Sequence, residues 1–170
     1  MAITNSVFET ERLQLASVSE NDAAFMLELL NTPGWLRFIG DRGVRSMEDA
    51  INYITKILRT PDTYYWVVRS KTDKEYMGVI SFLKRDYLEF PDIGFAFLPG
   101  QTQKGYAYEA AKIVLDYITT ELDTDAVLAI SLKDNHRSIL LLEKLGFVSD
   151  KMILEGGNEL LQFKFQHIKK

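Results

Sequence analysis

The sequence has no cysteine, and only two of its 170 residues are histidine. Disulfides, zinc–thiolate sites, iron–sulfur clusters and cysteine nucleophiles are therefore excluded. No stretch approaches the roughly 18 uninterrupted apolar residues of a membrane-spanning helix. Any chemistry must come from carboxylates, hydroxyls, lysines or backbone amides, and we predict no metal site.

The charge balance is acidic, because 24 Asp and Glu outnumber 20 Lys and Arg and leave a formal net charge of -4. This sign is wrong for a protein that mainly neutralises nucleic-acid phosphates, so we expect no nucleic-acid partner. The N-terminus has acidic residues early and no apolar run of signal-peptide length, which predicts a cytoplasmic protein without a membrane partner. The hydrophobic content of 46% is globular, and no linker or repeat divides the chain. We therefore predict one domain over residues 1–170.

Hydrophobic periodicity predicts four helices among the strands. Ser19 and Ser46 each stand as an N-cap before an apolar stripe at helical spacing. Pro33 and Pro61 are expected to end these two helices. Two further helices are expected, from about residue 104 to 121 and from 135 to 145.

The remaining apolar and β-branched segments predict seven strands. The resulting order is β-α-α-β-β-β-α-β-α-β-β, an α/β (α+β) fold with a mixed, largely antiparallel sheet and helices on both faces. The predicted strands cover residues 12–17, 64–69, 76–83, 92–98, 126–132, 147–154 and 160–165.

The segment 99–107 contains a Pro-Gly break after a strand and then the start of a long helix. A glycine at such a turn exposes successive backbone N–H groups, and the helix N-terminus adds partial positive charge. Gly105, with Lys104 beside it, therefore suits a pyrophosphate. Alternatively, Gly105 and Ala107 are only a tight turn and a small packing residue.

A second informative segment, 135–147 (NHRSILLLEKLGF), lies one strand after that helix. Together with 9–13 (ETERL), 92–95 (DIGF) and 104–110 (KGYAYEA), its order and spacing resemble the GNAT superfamily of acyl-CoA-dependent N-acyltransferases. Within it, the chain is most similar to the branch that contains ribosomal-protein N-terminal acetyltransferases. The resemblance covers nearly the full chain. It implies a GNAT-like single domain that uses acetyl-CoA to acetylate a primary amine, either a peptide N-terminus or a small molecule.

The resemblance also implies which residues contact the cofactor. Gly105 and Ala107 match the family's phosphate loop, whereas Thr102 departs from its first position. The strand before the loop is expected to pair through its backbone with the pantetheine arm, and Asn135 to hydrogen-bond the cofactor. The expected cofactor-binding residues are Phe95, Phe97, Leu98, Gln103, Lys104, Gly105, Tyr106, Ala107, Asn135 and Ser138.

Acetyl transfer to an amine needs a base more than an acid, because a thiol leaves near pKa ~8.5 whereas a lysine-like amine titrates near ~10.4. Without cysteine, direct transfer in a ternary complex is favoured. The resemblance makes Asp92 the preferred catalytic base, because several members of the superfamily carry a catalytic carboxylate where this residue begins the cofactor strand, and Glu89 is a second candidate. An equal alternative is that Asp92 only pairs with a neighbouring cation, Lys84 or Arg85. Water could also carry the proton away.

The remaining candidates for proton transfer are weaker. Glu159 is a third possible base, whereas His136 and His167 are expected to be solvated. Many GNAT enzymes have a tyrosine that serves as a general acid at the position where this chain has Leu142. Ser138 is then the nearest hydroxyl that could act catalytically toward the thiolate, or it is a small residue that lets the cofactor pass.

The segment 34–42 (GWLRFIGDR) concentrates aromatic and charged residues. Trp35, Arg37 and Phe38 are predicted to contact the amine acceptor. Alternatively, Trp35 and Phe38 belong to the core. A competing function is a catalytically idle acyl-CoA-binding or regulatory module on the same fold. The assembly is predicted to be a monomer or a homodimer.

Overall fold

The computed structural model describes residue 3 and residues 6–166. These residues form five α-helices and eight strands. The longest helix has 16 residues, and no helix in the described part is long and apolar enough to cross a membrane. The helices are α1 (Ala23–Leu30), α2 (Pro33–Phe38), α3 (Met47–Arg59), α4 (Tyr106–Glu121) and α5 (His136–Leu145). The strands are β1 (Phe8–Glu9), β2 (Leu13–Ser17), β3 (Thr63–Ser70), β4 (Tyr76–Leu83), β5 (Asp92–Phe97), β6 (Ala126–Leu132), β7 (Val148–Glu155) and β8 (Asn158–Gln166).

All eight strands belong to one sheet with the order β1-β2-β3-β4-β5-β6-β8-β7. Every neighbouring pair is antiparallel except β5 and β6, which are parallel. The predicted mixed, largely antiparallel sheet is confirmed. The short strand β1 and the helix α2 are additional to the predicted order.

The prediction that Pro33 ends the first helix is wrong, because Pro33 begins α2. The first helix already stops at Leu30. Thr32 then caps α2 by accepting a hydrogen bond from the Trp35 N–H at 3.3 Å, and Pro33 occupies the first helical position. A proline is tolerated there because its missing N–H would have had no helical partner. The predicted N-cap at Ser46 is confirmed by its hydrogen bond from the Asp49 N–H at 3.1 Å.

Each face of the sheet packs against its own layer of helices. Alternation along a strand sends neighbouring side chains to opposite faces, so that Trp66 and Val67 lie in two different cores. One core contains Trp66, Ile80 and the buried faces of α4 and α5. The other contains Val67 and the buried faces of α1 and α3, together with Trp35 of α2. The prediction of helices on both faces is therefore confirmed.

The sheet opens between β5 and β6. β5 pairs with β4 along its whole length, but with β6 it is in register only at Asp92 opposite Leu128. The Leu128 N–H donates to the Pro91 C=O at 2.9 Å at this point. Beyond it the two strands run on in the same direction without further pairing among the described residues. A gap therefore separates their carboxyl-terminal halves, which lead toward α4 and α5.

Candidate active site

The backbone of β5 lines one side of the gap. The Leu98 N–H donates to the Met77 C=O of the β4 side at 2.9 Å, so the even-numbered residues of β5 bond to β4. Alternation then turns the backbone groups of Phe95 and Phe97 toward the gap. Two of the residues predicted to bind the cofactor, Phe95 and Phe97, therefore face the gap, whereas the N–H of Leu98, the residue directly after β5, is already bonded to β4.

The start of α4 lies beyond the end of β5. Gly105 is the N-cap, with a φ of +82° that strongly favours glycine, and it offers no side-chain acceptor. The first N–H groups of a helix have no helical partner, which here applies to Tyr106, Ala107 and Tyr108. The Glu109 N–H is the first to bond within the helix, to the Gly105 C=O at 3.1 Å. This end of α4 therefore presents a group of N–H donors and the positive end of the helix dipole.

The three residues before Gly105 differ in their contributions. Thr102, which departs from the family pattern, donates its hydroxyl to the Pro99 C=O at 2.9 Å and so closes the preceding turn. Gln103 and Lys104 are exposed, and Gln103 has a φ of +63°. Lys104 therefore adds a solvent-facing positive charge next to the N–H donors.

α5 begins on the other side of the gap, directly after β6 and a short turn. Asn135 is its N-cap and accepts a hydrogen bond from the Ser138 N–H at 3.3 Å through Oδ1. The side-chain amide nitrogen is the end of Asn135 that can donate to a ligand. Leu142, at the position of the family tyrosine, is 1% exposed and packs in the core against α4.

Asp92 lies where β5 and β6 meet, at the closed end of the gap. Its side chain is 2% exposed and accepts a hydrogen bond from Arg85 Nε at 2.8 Å. Burial raises the pKa of the Asp92 carboxyl, and the Arg85 guanidinium opposes this shift. The sequence analysis left open whether Asp92 pairs with Lys84 or Arg85, and the structure shows an ion pair between Asp92 and Arg85. Lys84 instead donates to the Arg85 C=O at 2.8 Å.

The other candidate bases are exposed. Glu89 and His136 are both on the surface. Glu159 forms an exposed ion pair with Lys133 at 2.6 Å. His167 lies outside the described residues. Asp92 is thus the one buried carboxylate among the candidates in the described part of the chain.

A row of polar and small residues crosses the sheet beside Asp92, and the sequence analysis missed it. Tyr65 of β3 lies opposite Ser81 of β4, which lies opposite Gly94 of β5. A Cβ on Gly94 would lie 2.7 Å from Ser81 Oγ, so any larger residue there would require the Ser81 side chain to shift. Burial raises the pKa of Tyr65, and a hydrogen bond with Tyr53 of α3 adds to the shift. The alternation of side chains along a strand was the signal that could have found this row, because it places Tyr65 and Trp66 on opposite faces of the sheet.

The segment 34–42 contributes less to an acceptor site than predicted. Trp35 is 5% exposed and donates its indole N–H to the Gly40 C=O at 3.0 Å, so its ring belongs to the core. Arg37 is exposed and pairs with Asp134 at 3.0 Å, which links α2 to the turn before α5. Phe38 is half-buried beside the Arg37 guanidinium. Of the three residues predicted to contact the acceptor, Arg37 and Phe38 are therefore the two whose side chains reach the surface.

These features agree with the comparison to known protein families. The acetyltransferase (GNAT) domain family matches residues 12–148, and the chain belongs to this family of acetyl-CoA-dependent acyltransferases. Two relatives in Bacillus subtilis are the uncharacterized N-acetyltransferases YoaA and YnaD, which are 26% and 27% identical. The alignments cover 86% of this chain and 85% of YoaA, and 88% of this chain and 89% of YnaD. The resemblance to GNAT enzymes is confirmed.

Solved structures share the fold at lower sequence identity. A GNAT-family acetyltransferase from Bacillus anthracis has a TM-score of 0.80 at 22% identity, and the superposition covers 95% of this chain and 99% of that enzyme's chain. Ribosomal-protein-S5-alanine acetyltransferase from Vibrio fischeri has a TM-score of 0.79 at 16% identity, with 95% and 97% covered. Spermidine N-acetyltransferase from Vibrio cholerae, in complex with CoA and spermine, has a TM-score of 0.79 at 18% identity, with 93% and 97% covered. These likenesses confirm the fold.

The residues present fit the acetyl-CoA that the family implies. The gap offers backbone donors and acceptors at Phe95 and Phe97, as an extended amide-containing arm requires. The start of α4 offers N–H groups without a side-chain cap, as a pyrophosphate requires. A Cβ on Gly105 would lie 3.3 Å from Arg12 Nη2, so a larger residue would crowd this loop.

Proposed function

We propose that this protein transfers an acetyl group from acetyl-CoA to a primary amine by direct transfer in a ternary complex. The observation that carries the proposal is the gap between β5 and β6, which extends from the side of the α4 N-terminus to the buried Asp92. In this arrangement the backbone of Phe95 and Phe97 holds the pantetheine arm. The N–H groups after Gly105, together with Lys104, hold the pyrophosphate, and the Asn135 side-chain amide contributes from α5.

Proton removal from the amine is the step that needs the protein most. When bound, acetyl-CoA supplies a thioester whose carbonyl carbon accepts the amine nitrogen as the carbon–sulfur bond breaks. We propose that Asp92 accepts the proton that the nitrogen loses. Its burial supports this role, because a raised pKa makes a carboxylate a better proton acceptor. Arg85 would hold the carboxylate in one orientation.

The proposed acceptor is a peptide N-terminus or a small-molecule amine. A terminal α-amine titrates near ~7.7 to 8.0, so a large fraction is already neutral at physiological pH. The proposed acceptor face is the row that contains Tyr65 and Ser81, with Arg37 and Phe38 at its margin. In support, the fold neighbours include a ribosomal-protein-S5-alanine acetyltransferase and a spermidine N-acetyltransferase.

An idle acyl-CoA-binding module is the second candidate function. Two observations favour it: the Thr102 hydroxyl is bonded to the Pro99 C=O of the preceding turn, and the buried Leu142 replaces the tyrosine acid of other members. Under this alternative the gap and the α4 start would bind CoA, but no amine would be acetylated.

Thiol release from acetyl-CoA, measured with a panel of amines, tests the proposed function. The panel should include spermidine, spermine, free amino acids and peptides whose first residue is alanine. We expect at least one acceptor to be turned over. Calorimetric titration with CoA provides the second measurement, and 100 Kd of ligand should also stabilise the fold by about 2.7 kcal/mol. CoA binding without turnover of any amine would favour the idle module, and absence of CoA binding would exclude both functions.

We expect Ser138→Ala to lower kcat by less than about fivefold. A thiol leaves as thiolate near pKa ~8.5 and needs little help from an acid, so a hydroxyl donor adds little. The Ser138 backbone N–H keeps its bond to Asn135, and the α5 N-cap is preserved. Steady-state kinetics at saturating amine measure the effect. A loss of 100-fold or more would instead make the Ser138 hydroxyl an essential proton donor to the sulfur.

A further inference from the structure

A cluster of three side chains links the start of α4 to the turn between β1 and β2. Arg12 donates from Nε to Glu109 Oε2 at 2.7 Å, and its Nη2 lies 2.6 Å from the same oxygen. The Thr10 hydroxyl and the Arg12 N–H both donate to the other oxygen, Glu109 Oε1. Thr10, Arg12 and Glu109 are here named the Arg12 cluster. Thr10 and Arg12 are 99 and 97 positions away from Glu109 in sequence, and the proposed reaction assigns no role to any of the three.

The guanidinium of Arg12 also contacts the loop that precedes α4. Its Nη1 donates to the Lys104 C=O at 3.1 Å. Its Cζ lies 4.4 Å from the centroid of the Tyr106 ring. A Cβ built on Gly105 would lie only 3.3 Å from Nη2. Arg12 therefore contacts Lys104 and Tyr106 and lies beside Gly105, in addition to its ion pair with Glu109.

The charge of Glu109 explains why such a cluster matters for a polyanionic ligand. A carboxylate in the first turn of a helix stabilises the helix dipole, but it repels an anion that binds at the same end. Although partial burial acts in the opposite direction, the hydrogen bonds from Thr10 and Arg12 lower the pKa of Glu109. The carboxylate therefore stays charged at neutral pH, and Arg12 is the cation that compensates it.

We infer that Arg12 is a positioning residue for cofactor phosphates. It neutralises Glu109 and holds the Lys104 carbonyl, so that the N–H groups after Gly105 face a pyrophosphate without a competing negative charge. Because its Nε and Nη1 already donate to Glu109 and Lys104, we assign it a role that acts through the loop. This inference rests on the proposed function, because it assumes that the α4 start binds CoA.

A double-mutant cycle tests the inference with CoA titration calorimetry and steady-state kinetics. We expect Arg12→Met to raise the Kd for CoA and the KM for acetyl-CoA by about tenfold, with kcat within about twofold. Glu109→Gln alone should change the Kd by less than about threefold. The double variant should regain at least half of the loss on a logarithmic scale, because no uncompensated carboxylate remains. S-acetylpantetheine, which lacks the phosphates, should be used equally well by the wild type and Arg12→Met.

Lys71→Met is the matched control. Lys71 donates to the Thr10 C=O at 3.1 Å and pairs with Glu9 at 3.5 Å, and among the described residues its side chain has no hydrogen bond or ion pair with the loop before α4, so its loss should leave the Kd unchanged. If Arg12→Met does not fold, Arg12→Lys keeps the charge without the forked geometry and should show a smaller rise in Kd. Unchanged CoA binding in the Arg12 variants would overturn the inference. So would a double variant as weak as Arg12→Met, because that result indicates a purely structural contact. Failure of the wild type to bind CoA would instead reject the proposed function.

Discussion

Gly105→Val should weaken CoA binding by about 10- to 100-fold. Gly105 has a φ of +82°, a left-handed conformation that costs a residue with a side chain roughly 1–2 kcal/mol and is worst for a β-branched one. The new Cβ would also lie 3.3 Å from Arg12 Nη2. The loop would have to change its path, and the N–H groups of Tyr106 and Ala107 would no longer converge on one anion. Titration calorimetry with CoA measures the loss.

Two further variants separate loop geometry from general damage. Gly105→Asn should bind CoA better than Gly105→Val, because asparagine tolerates the left-handed region. Gly100→Val is the positional control, because a Cβ on Gly100 meets no atom within 4 Å. It should bind CoA as the wild type does. If Gly105→Val folds, as judged by thermal unfolding without ligand, and still binds CoA normally, the α4 start is not the phosphate site.

Asp92→Asn should lower kcat by about 100-fold while leaving the Kd for CoA within about threefold. A positioned general base contributes on the order of 10²–10⁴ in rate, and an amide cannot accept the proton. CoA binding should persist because the proposed cofactor contacts lie at the other end of the gap. Single-turnover thiol release with the best acceptor, at a fixed pH, measures the effect. An unchanged kcat would assign the proton to water.

The pH dependence supplies an independent check on Asp92. Because burial raises its pKa in the folded state, kcat/KM should rise with pH through that raised pKa. The free energy of unfolding depends on pH in the opposite direction. Between the unfolded pKa of about 3.9 and the raised folded value, the folded state binds more protons, so stability falls as pH rises. Asp92→Asn should remove both effects, whereas Glu89→Gln, at an exposed neighbouring carboxylate, should preserve them.

Local sequence rules predicted most of the elements around the site. The helix α4 was expected at residues 104–121, and it begins two residues later, directly after Gly105. The strand at residues 126–132 was predicted with its observed bounds. The helix expected at residues 135–145 ends at Leu145, and Gly146 caps it with a φ of +98°. These features depend on interactions within a few residues, so the sequence pattern contains the information needed to predict them.

Other features required contacts between distant segments. Pro33 was expected to stop a helix, but the Thr32 cap and the burial of Trp35 make it the first residue of another. The choice of Arg85 over Lys84 as the partner of Asp92 depends on the path of the loop between β4 and β5. The row of Tyr65, Ser81 and Gly94 exists only because three strands align in register.

The sequence by itself determined the class of this protein, because its segments 9–13, 92–95, 104–110 and 135–147 resemble the GNAT superfamily in order and spacing, and the absence of cysteine favoured direct acetyl transfer. Tertiary structure decided where the charges lie. Strand register placed Asp92 at the closed end of the gap, and packing of β1 and β2 against α4 brought Arg12 to Glu109. The physical reason is how far apart in the sequence the interacting residues lie. Helix caps and strand alternation arise from neighbouring residues, whereas an ion pair between residues 12 and 109 forms only after the sheet and the helices have assembled.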